Sequence, residues 1–299
     1  TRVEGLTVLV ATSGDTGGAV AQAFHGVAGT RVVVLYPEGQ VSDVQEAQFT
    51  TLGGNVTAVA VRGSFDDCQR LTKEAFADPA LQARLRLTSA NSISLGRLLP
   101  QIFYYAYAAL QAPDGAPRIS VPSGNFGNLV AGVMAWRLGA PIAAFSAPTT
   151  INDTVPRYLA SGRPEPRPSV PTLANAMDVG DPSNLERLQW LFDGDVNAMR
   201  SLISSHAHRD EEVRAAIAEL NDRFNYVADP HTAIAFLGTR HEARGTLFLS
   251  TAHPAKFREV VEPVIEKAVQ LPEALAAILS RKRVSLRIGP ALAELADLL

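Results

Sequence analysis

Three short valine-rich runs, residues 6–11 (LTVLVA), 31–36 (RVVVLY) and 55–61 (NVTAVAV), alternate with helical patterns over residues 16–24, 42–52 and 65–76. Alternation of this kind is the signature of a parallel sheet joined by crossover helices. Residues 94–110 predict a longer helix, with Leu95, Leu98, Leu99, Ile102, Phe103 and Tyr107 at helical spacing. The alternation then resumes: a strand at 119–121, the turn SGNFGN, a helix at 129–138 and a strand at 142–146. Four prolines in SGRPEPRPSVP, residues 161–171, mark a surface loop. Helices follow at 184–192, 196–204 and 210–224, and another opens at Asp229, an N-cap residue followed by Pro. A last strand at 246–249 leads through STAHPAK into a closing helix. The fold class is therefore α/β with two parallel-sheet domains: residues 1–90, smaller, and 91–299, larger. The length of 299 residues agrees, at about 150 residues per domain.

Composition excludes several function classes. The net charge of −3, from 27 basic and 30 acidic residues, argues against nucleic acid or an anionic membrane as partner. Cys68 is the only cysteine, so there is no internal disulfide framework and no CxxC zinc or redox motif. No metal-ligand motif occurs, and neither HExxH nor GxSxG is present. No stretch has the length and apolarity of a membrane span, and the start lacks a signal peptide's features, which makes the cytoplasm the expected compartment. The first residue is Thr1, close before an apolar run, and the expectation is that the chain begins mid-protein. Only four lysines occur: Lys73, Lys256, Lys267 and Lys282.

Ligands of open parallel sheets bind beyond the carboxyl ends of the strands. Three turns rich in small polar residues stand there: TSGDTGG (12–18), SGNFGN (123–128) and STAHPAK (250–256). SGNFGN joins a strand to a helix, so its N–H groups converge where the helix dipole also favours an anion, and a phosphate ester is the natural ligand. A plain tight turn is the alternative. There is no GxxxxGK[ST], and neither glycine turn fits GxGxxG, which argues against ATP and a dinucleotide. TSGDTGG offers hydroxyls and helix-start amides to a carboxylate, or is simply a capped helix start. Lys256, in the first turn after Pro254, either faces an anionic partner or points into water. Asn152, Asp153 and Arg157 (INDTVPR) bring a group suited to phosphate, although Asp and Arg four residues apart also form ordinary surface pairs. His206 and His208 are expected in solvent; Asn91, Asn175 and Asp178 are expected in loops.

In order along the chain, ATSGDTGGAVAQAF, VVVLYPEG, TLGGNV, SANSI, VPSGNFGN, INDTVPR, NAMDVGDPSN, DPHTA and TAHPAKF resemble the threonine synthase family, pyridoxal-phosphate enzymes of the tryptophan-synthase-β fold type. The resemblance runs from about Leu6 to the helix after Lys256. It implies that Gly124, Asn125, Phe126, Gly127 and Asn128 cradle the phosphate of pyridoxal 5′-phosphate. Thr251 would hydrogen-bond the pyridine nitrogen, with Asp15 near the phenolic oxygen. Ser13, Gly14 and Thr16 would hold the substrate carboxylate, and Asn91, Asn152, Arg157 and Lys256 are candidates for the phosphate of O-phospho-L-homoserine. The implied reaction is γ-elimination of phosphate and addition of water at Cβ, giving L-threonine.

The family's cofactor lysine belongs to a Phe-Lys-Asp motif before the SGDTG turn, and no Phe-Lys-Asp occurs here. The expectation is thus a fragment lacking its N-terminal part and its Schiff-base lysine, inactive alone and poorly soluble. Two readings compete: a related dehydratase or phospholyase, and a catalytically silent ligand-binding homologue.

Overall fold

The valine-rich runs carry apolar side chains on consecutive residues, rather than only on alternate ones, because the sheet they build is covered on both faces. The computed structural model describes residues 5–91, 94–113, 115–242 and 245–299. Its strands are β1 (Leu6–Ala11), β2 (Thr30–Pro37), β3 (Val56–Val61), β4 (Arg86–Ser89), β5 (Arg118–Ser120), β6 (Ala144–Ser146), β7 (Ile203–Ser204), β8 (Leu247–Phe248) and β9 (Leu286–Ile288). They divide between two compact units, Thr1–Asn91 with Gln270–Leu299, and Ser92–Val269.

The first unit holds a parallel sheet in the order β4-β1-β2-β3-β9. Val8, Val10, Val32, Val34 and Val56 face one way, onto Val20, Ala21 and Phe49 of the helices Asp15–Phe24 and Asp43–Thr50. Leu9, Ala11, Val33, Leu35, Val59 and Val61 face the other way, onto Cys68, Leu71 and Ala75 of the helix Phe65–Ala77, with Leu81 and Leu295. Each buried Val, Leu or Phe among them contributes about 1.5–3 kcal/mol, so neither face tolerates a polar residue cheaply. Ser42 and Ser64 start two of these helices through reciprocal capping boxes with Gln45 and Asp67.

The second unit holds a parallel sheet in the order β7-β6-β5-β8. Its core gathers Ile119 and Phe145 from the sheet and Val121 just beyond β5 with Leu98, Tyr105, Leu129, Val133 and Leu188 from the helices.

Four readings change. The segment 91–299 is not one domain, since Gln270–Leu299 joins the first unit, where β9 pairs with β3. Strands β4, β7 and β9 had no signal, being only four, two and three residues long. The 94–110 helix is two helices, Leu95–Leu98 and Gln101–Gln111, because Pro100 has no N–H to continue the first. The segment after Pro254 begins as a 3-10 turn, Pro254–Phe257, before the helix Arg258–Ile265. Among the described residues, no helix is long and apolar enough to cross a membrane.

Candidate functional site

In the first unit, β1 ends at Ala11 and enters the 12–18 turn. Thr12, buried, receives Gly14 N–H at 2.9 Å and Gly17 N–H at 2.8 Å on its hydroxyl oxygen. Its acceptor side therefore serves the turn itself. Gly14 has φ 142°, which L side chains rarely adopt, and a Cβ there would lie 2.4 Å from the Gln45 side chain. The helix Asp15–Phe24 then begins with no side-chain cap on Gly14, which leaves a positive helix end flanked by Ser13, Asp15 and Thr16, all half-buried. Asn91, following β4, is placed against the same strand end. Its Oδ1 accepts from Ala11 N–H at 3.1 Å, and its Nδ2 donates to Ala11 C=O at 2.5 Å. The next two residues of its motif, 92–93, lie outside the described residues.

In the second unit, the parallel order brings the loops after β5, β6 and β8 to one edge of the sheet, side by side. The 123–128 turn follows β5. Ser123 is buried and tied to Val121 C=O through its hydroxyl, and its N–H donates to Pro148 C=O. Gly124 packs so closely that a Cβ would sit 2.4 Å from Met177 Cα. Phe126 takes a left-handed conformation, φ 60°, and the helix Gly127–Arg137 starts behind it without a side-chain cap. By helix geometry, the first-turn N–H groups lack intrahelical acceptors and converge on the space before the turn. The side chains on either side have structural work. Asn125 Oδ1 accepts from Ser183 N–H at 2.7 Å and Ser183 hydroxyl at 3.0 Å. Asn128 Oδ1 accepts from the Tyr104 and Tyr105 hydroxyls, each at 2.6 Å. The tyrosine pKa values are raised by burial, so both phenols remain donors. What the turn presents to a ligand is backbone, in the form suited to an oxyanion.

Thr251 follows β8 and is exposed. Because β8 lies beside β5, with Leu249 N–H bonded to Ser120 C=O, Thr251 leaves the sheet at the same edge as the 123–128 turn. Its neighbour Ser250 touches a group the sequence reading saw only as a helix start. Asp229, fully buried, accepts from the N–H groups of His231 and Thr232, and its carboxylate meets His231 Nδ1 at 2.6 Å. Burial pushes the Asp229 carboxyl up, but the His231 and Thr232 contacts outweigh it and hold the pKa below the usual range. The Thr232 hydroxyl continues the contacts to Asp229 and, at 3.1 Å, to Ser250. The Asp-Pro signal located this helix; nothing in the sequence disclosed the link to Ser250.

The loop after β6 carries Asn152 and Arg157. Asn152 Nδ2 donates to Thr150 Oγ1, Val170 C=O and Asp178 Oδ1 at 2.9, 2.9 and 3.0 Å, while its Oδ1 accepts from Val170 N–H at 2.8 Å. Arg157 pairs with Asp153 at 2.8 Å and with Glu165 of the proline-rich loop, through both carboxylate and carbonyl. The ordinary Asp-Arg pairing is thus present. Lys256 is half-buried in the 3-10 turn, where His253 Nδ1 accepts from Ala255 N–H. The other lysines, Lys73, Lys267 and Lys282, are exposed.

One histidine is not where the sequence reading had it. His208 is buried, not solvated, because a parallel bridge between Thr149 and Ala207 draws residues 206–208 along the sheet edge. A cavity of about 340 Å³ lies at the amino ends of β5 and β8, lined by Pro117, Arg118, Ala143 and Leu247 among others, away from the turns described. Among the described residues, no group of His, Cys, Asp and Glu is arranged to hold a metal ion.

Residues 2–247 match the family model described as pyridoxal-phosphate dependent enzyme, and residues 231–297 match threonine synthase, C-terminal. The crystal structure of threonine synthase from Escherichia coli superposes with a TM-score of 0.93 at 43% identity, covering 99% of this chain and 70% of that one. This chain belongs to the threonine synthase family. A relative from Serratia marcescens named threonine synthase is 50% identical over 277 residues, 91% of this chain and 64% of its own length. A pyridoxal-phosphate-bound threonine synthase structure from Brucella melitensis gives a TM-score of 0.88 at 36% identity, covering 99% of this chain and 70% of that one. The α/β fold of tryptophan-synthase-β type is established with the family. The chain spans about two thirds of the length of these threonine synthases.

Proposed function

We propose that the protein acts as a threonine synthase, converting O-phospho-L-homoserine and water to L-threonine and phosphate with pyridoxal phosphate as cofactor, in the cytoplasm. The observation that carries this reading is the 123–128 turn. Its backbone closes on Met177 at Gly124, is left-handed at Phe126, and opens an uncapped helix, which together fit a phosphate ester. Gly124, Asn125, Phe126, Gly127 and Asn128 would hold the cofactor phosphate through main-chain N–H groups, the Asn125 and Asn128 side chains bracing the turn. Thr251 would meet the pyridine nitrogen as a neutral partner, and Asp15 the phenolic oxygen. The bound cofactor supplies an electron sink for carbanions formed on the substrate.

The chain's own part is to orient and to hold charge. Ser13, Gly14 and Thr16, at a helix N-terminus, suit the substrate carboxylate. Lys256, half-buried at the carboxyl edge of the second sheet, remains a candidate for the departing phosphate, as does Arg157 if it exchanges Glu165 for the substrate. Asn91 is proposed with them through the Nδ2 hydrogen that Ala11 does not take. None of the four lysines lies in a Phe-Lys-Asp motif, so the cofactor-anchoring amine is proposed to be none of them.

The 299-residue chain, with none of its lysines as the anchor, should show no turnover by itself, whereas a protein that joins it to a Phe-Lys-Asp segment, supplied with pyridoxal phosphate and O-phospho-L-homoserine, should release phosphate and L-threonine in equal amounts. Keto-acid formation from serine or threonine, with phosphohomoserine untouched, would instead establish a dehydratase; ligand binding without turnover by the joined protein would establish the silent homologue. Reduction with borohydride followed by peptide mapping tests the lysine assignment, and a pyridoxyl label on Lys256 would overturn it.

A further inference from the structure

The segment from Thr172 to Ser183 has no role in the reading above, yet it touches both loops that the reading uses. At one end it is pinned to the loop after β6. Asp178 Oδ1 accepts from the Thr172 hydroxyl at 2.7 Å and from Asn152 Nδ2 at 3.0 Å, and Oδ2 accepts from Thr172 N–H at 2.8 Å. Thr154, two residues beyond Asn152, donates its hydroxyl to Gly180 C=O at 2.8 Å. In the middle, the Met177 backbone lies directly against Gly124, with no room for a Cβ between them. At the other end, Ser183 closes on Asn125 with two hydrogen bonds. The segment is a clasp across the back of the 123–128 turn, and Asp178 is its buckle.

The geometry points to Asn152, Thr172 and Asp178 as positioning residues for the phosphate-binding turn, acting through Met177 and Ser183 rather than by touching a ligand. This rests on the reading of that turn as a phosphate cradle. It also reassigns Asn152. Its Nδ2 has two hydrogens and already faces three acceptors, and its Oδ1 is engaged by Val170 N–H, so no donor is left over for a substrate phosphate. The physical reason for a clasp is preorganisation. Main-chain N–H groups bind an oxyanion well only if the turn is held in the bound shape beforehand, and a turn free to relax loses that affinity.

The test compares pyridoxine phosphate with pyridoxine, neither of which carries an aldehyde, so binding reports the cradle and not imine formation with an amine. Affinities are measured on the 299-residue chain and on Asp178→Ala, Asn152→Ala, Thr172→Val and Thr172→Ser. The chain itself should prefer the phosphorylated ligand. Asp178→Ala, Asn152→Ala and Thr172→Val should each lower that preference about tenfold while leaving pyridoxine affinity within about twofold, and Thr172→Ser, which keeps the hydroxyl, should retain it. Thr172→Val removes one hydroxyl and is the variant to rely on if either alanine variant fails to fold. An unchanged preference in Thr172→Val would overturn the inference while leaving the cradle standing. Equal loss of both ligands in that variant would overturn it too, as a general loosening. A wild-type chain with no preference would overturn the cradle reading, and this inference with it.

Discussion

Asp178 is a carboxyl that burial pushes up to about 7, against hydrogen bonds from Thr172 that pull it down; His231 and Asp210 are the other charged groups facing it. A carboxyl whose pKa rises on folding takes up a proton as the chain folds. Its contribution is fully present below the unfolded pKa, about 3.9, and is lost as pH rises toward about 7. Asp178→Asn removes this dependence. The melting temperature of the wild type relative to the variant should therefore fall as pH is raised from about 4 to about 7, and a flat difference would show that Asp178 ionises normally. At Gly124 the constraint is steric. Gly124→Ala sets a methyl against Met177 Cα and should cost about 1–3 kcal/mol in denaturant unfolding, with loss of pyridoxine phosphate affinity. The sequence marked Gly124 through its motif, whereas Asp178 looked like any loop aspartate. Its partners lie 6 and 26 positions away in the chain, and no local pattern brings them together.

Among the elements, the helix Pro230–Thr239 is the one whose start was plainest in the sequence, because Asp followed by Pro satisfies the cap and the first-turn backbone locally. Asp229→Ala loses that cap and strips a buried partner from His231 and Thr232. It should destabilise the second unit by about 2 kcal/mol or more, as read by denaturant unfolding. The helix Gln101–Gln111 shows the opposite case. Phe103 and Tyr107 stand at helical spacing in its sequence, yet the helix packs on the core through Tyr105 and Ala109, and Phe103 and Tyr107 are 76% and 68% exposed. Periodicity reports an apolar stripe; when a helix is apolar nearly all round, only the packing decides which stripe goes inward. Replacing Phe103 and Tyr107 by Ser should raise solubility and change unfolding free energy by only about 0.5 kcal/mol, since neither side chain fills the core.

For the whole molecule, the last thirty residues belong with the first ninety. Leu286–Ile288 adds a strand beside β3, Leu295 is fully buried, and Arg31 and Arg84 donate to carbonyls of Leu298, Leu299 and Ala296. Deleting residues 270–299 should therefore accelerate amide exchange in β3 and the helix Phe65–Ala77, with little effect on β5 or the helix Gly127–Arg137. Equal acceleration in both units would mean that they unfold as one. The sequence by itself determined the α/β class, the long strands and the helices capped by nearby residues, because each is written in local periodicity and turn chemistry. Its ordered motifs also carried the family. Tertiary structure alone decided what depends on distant pairing: the short strands β4, β7 and β9, the return of the C-terminal segment to the first unit, and the burial of His208. It also decided that Asn152 spends its hydrogen bonds on Val170 and Asp178. A strand of two to four residues has too little side-chain pattern to announce itself and exists because a neighbour's open edge supplies its hydrogen bonds.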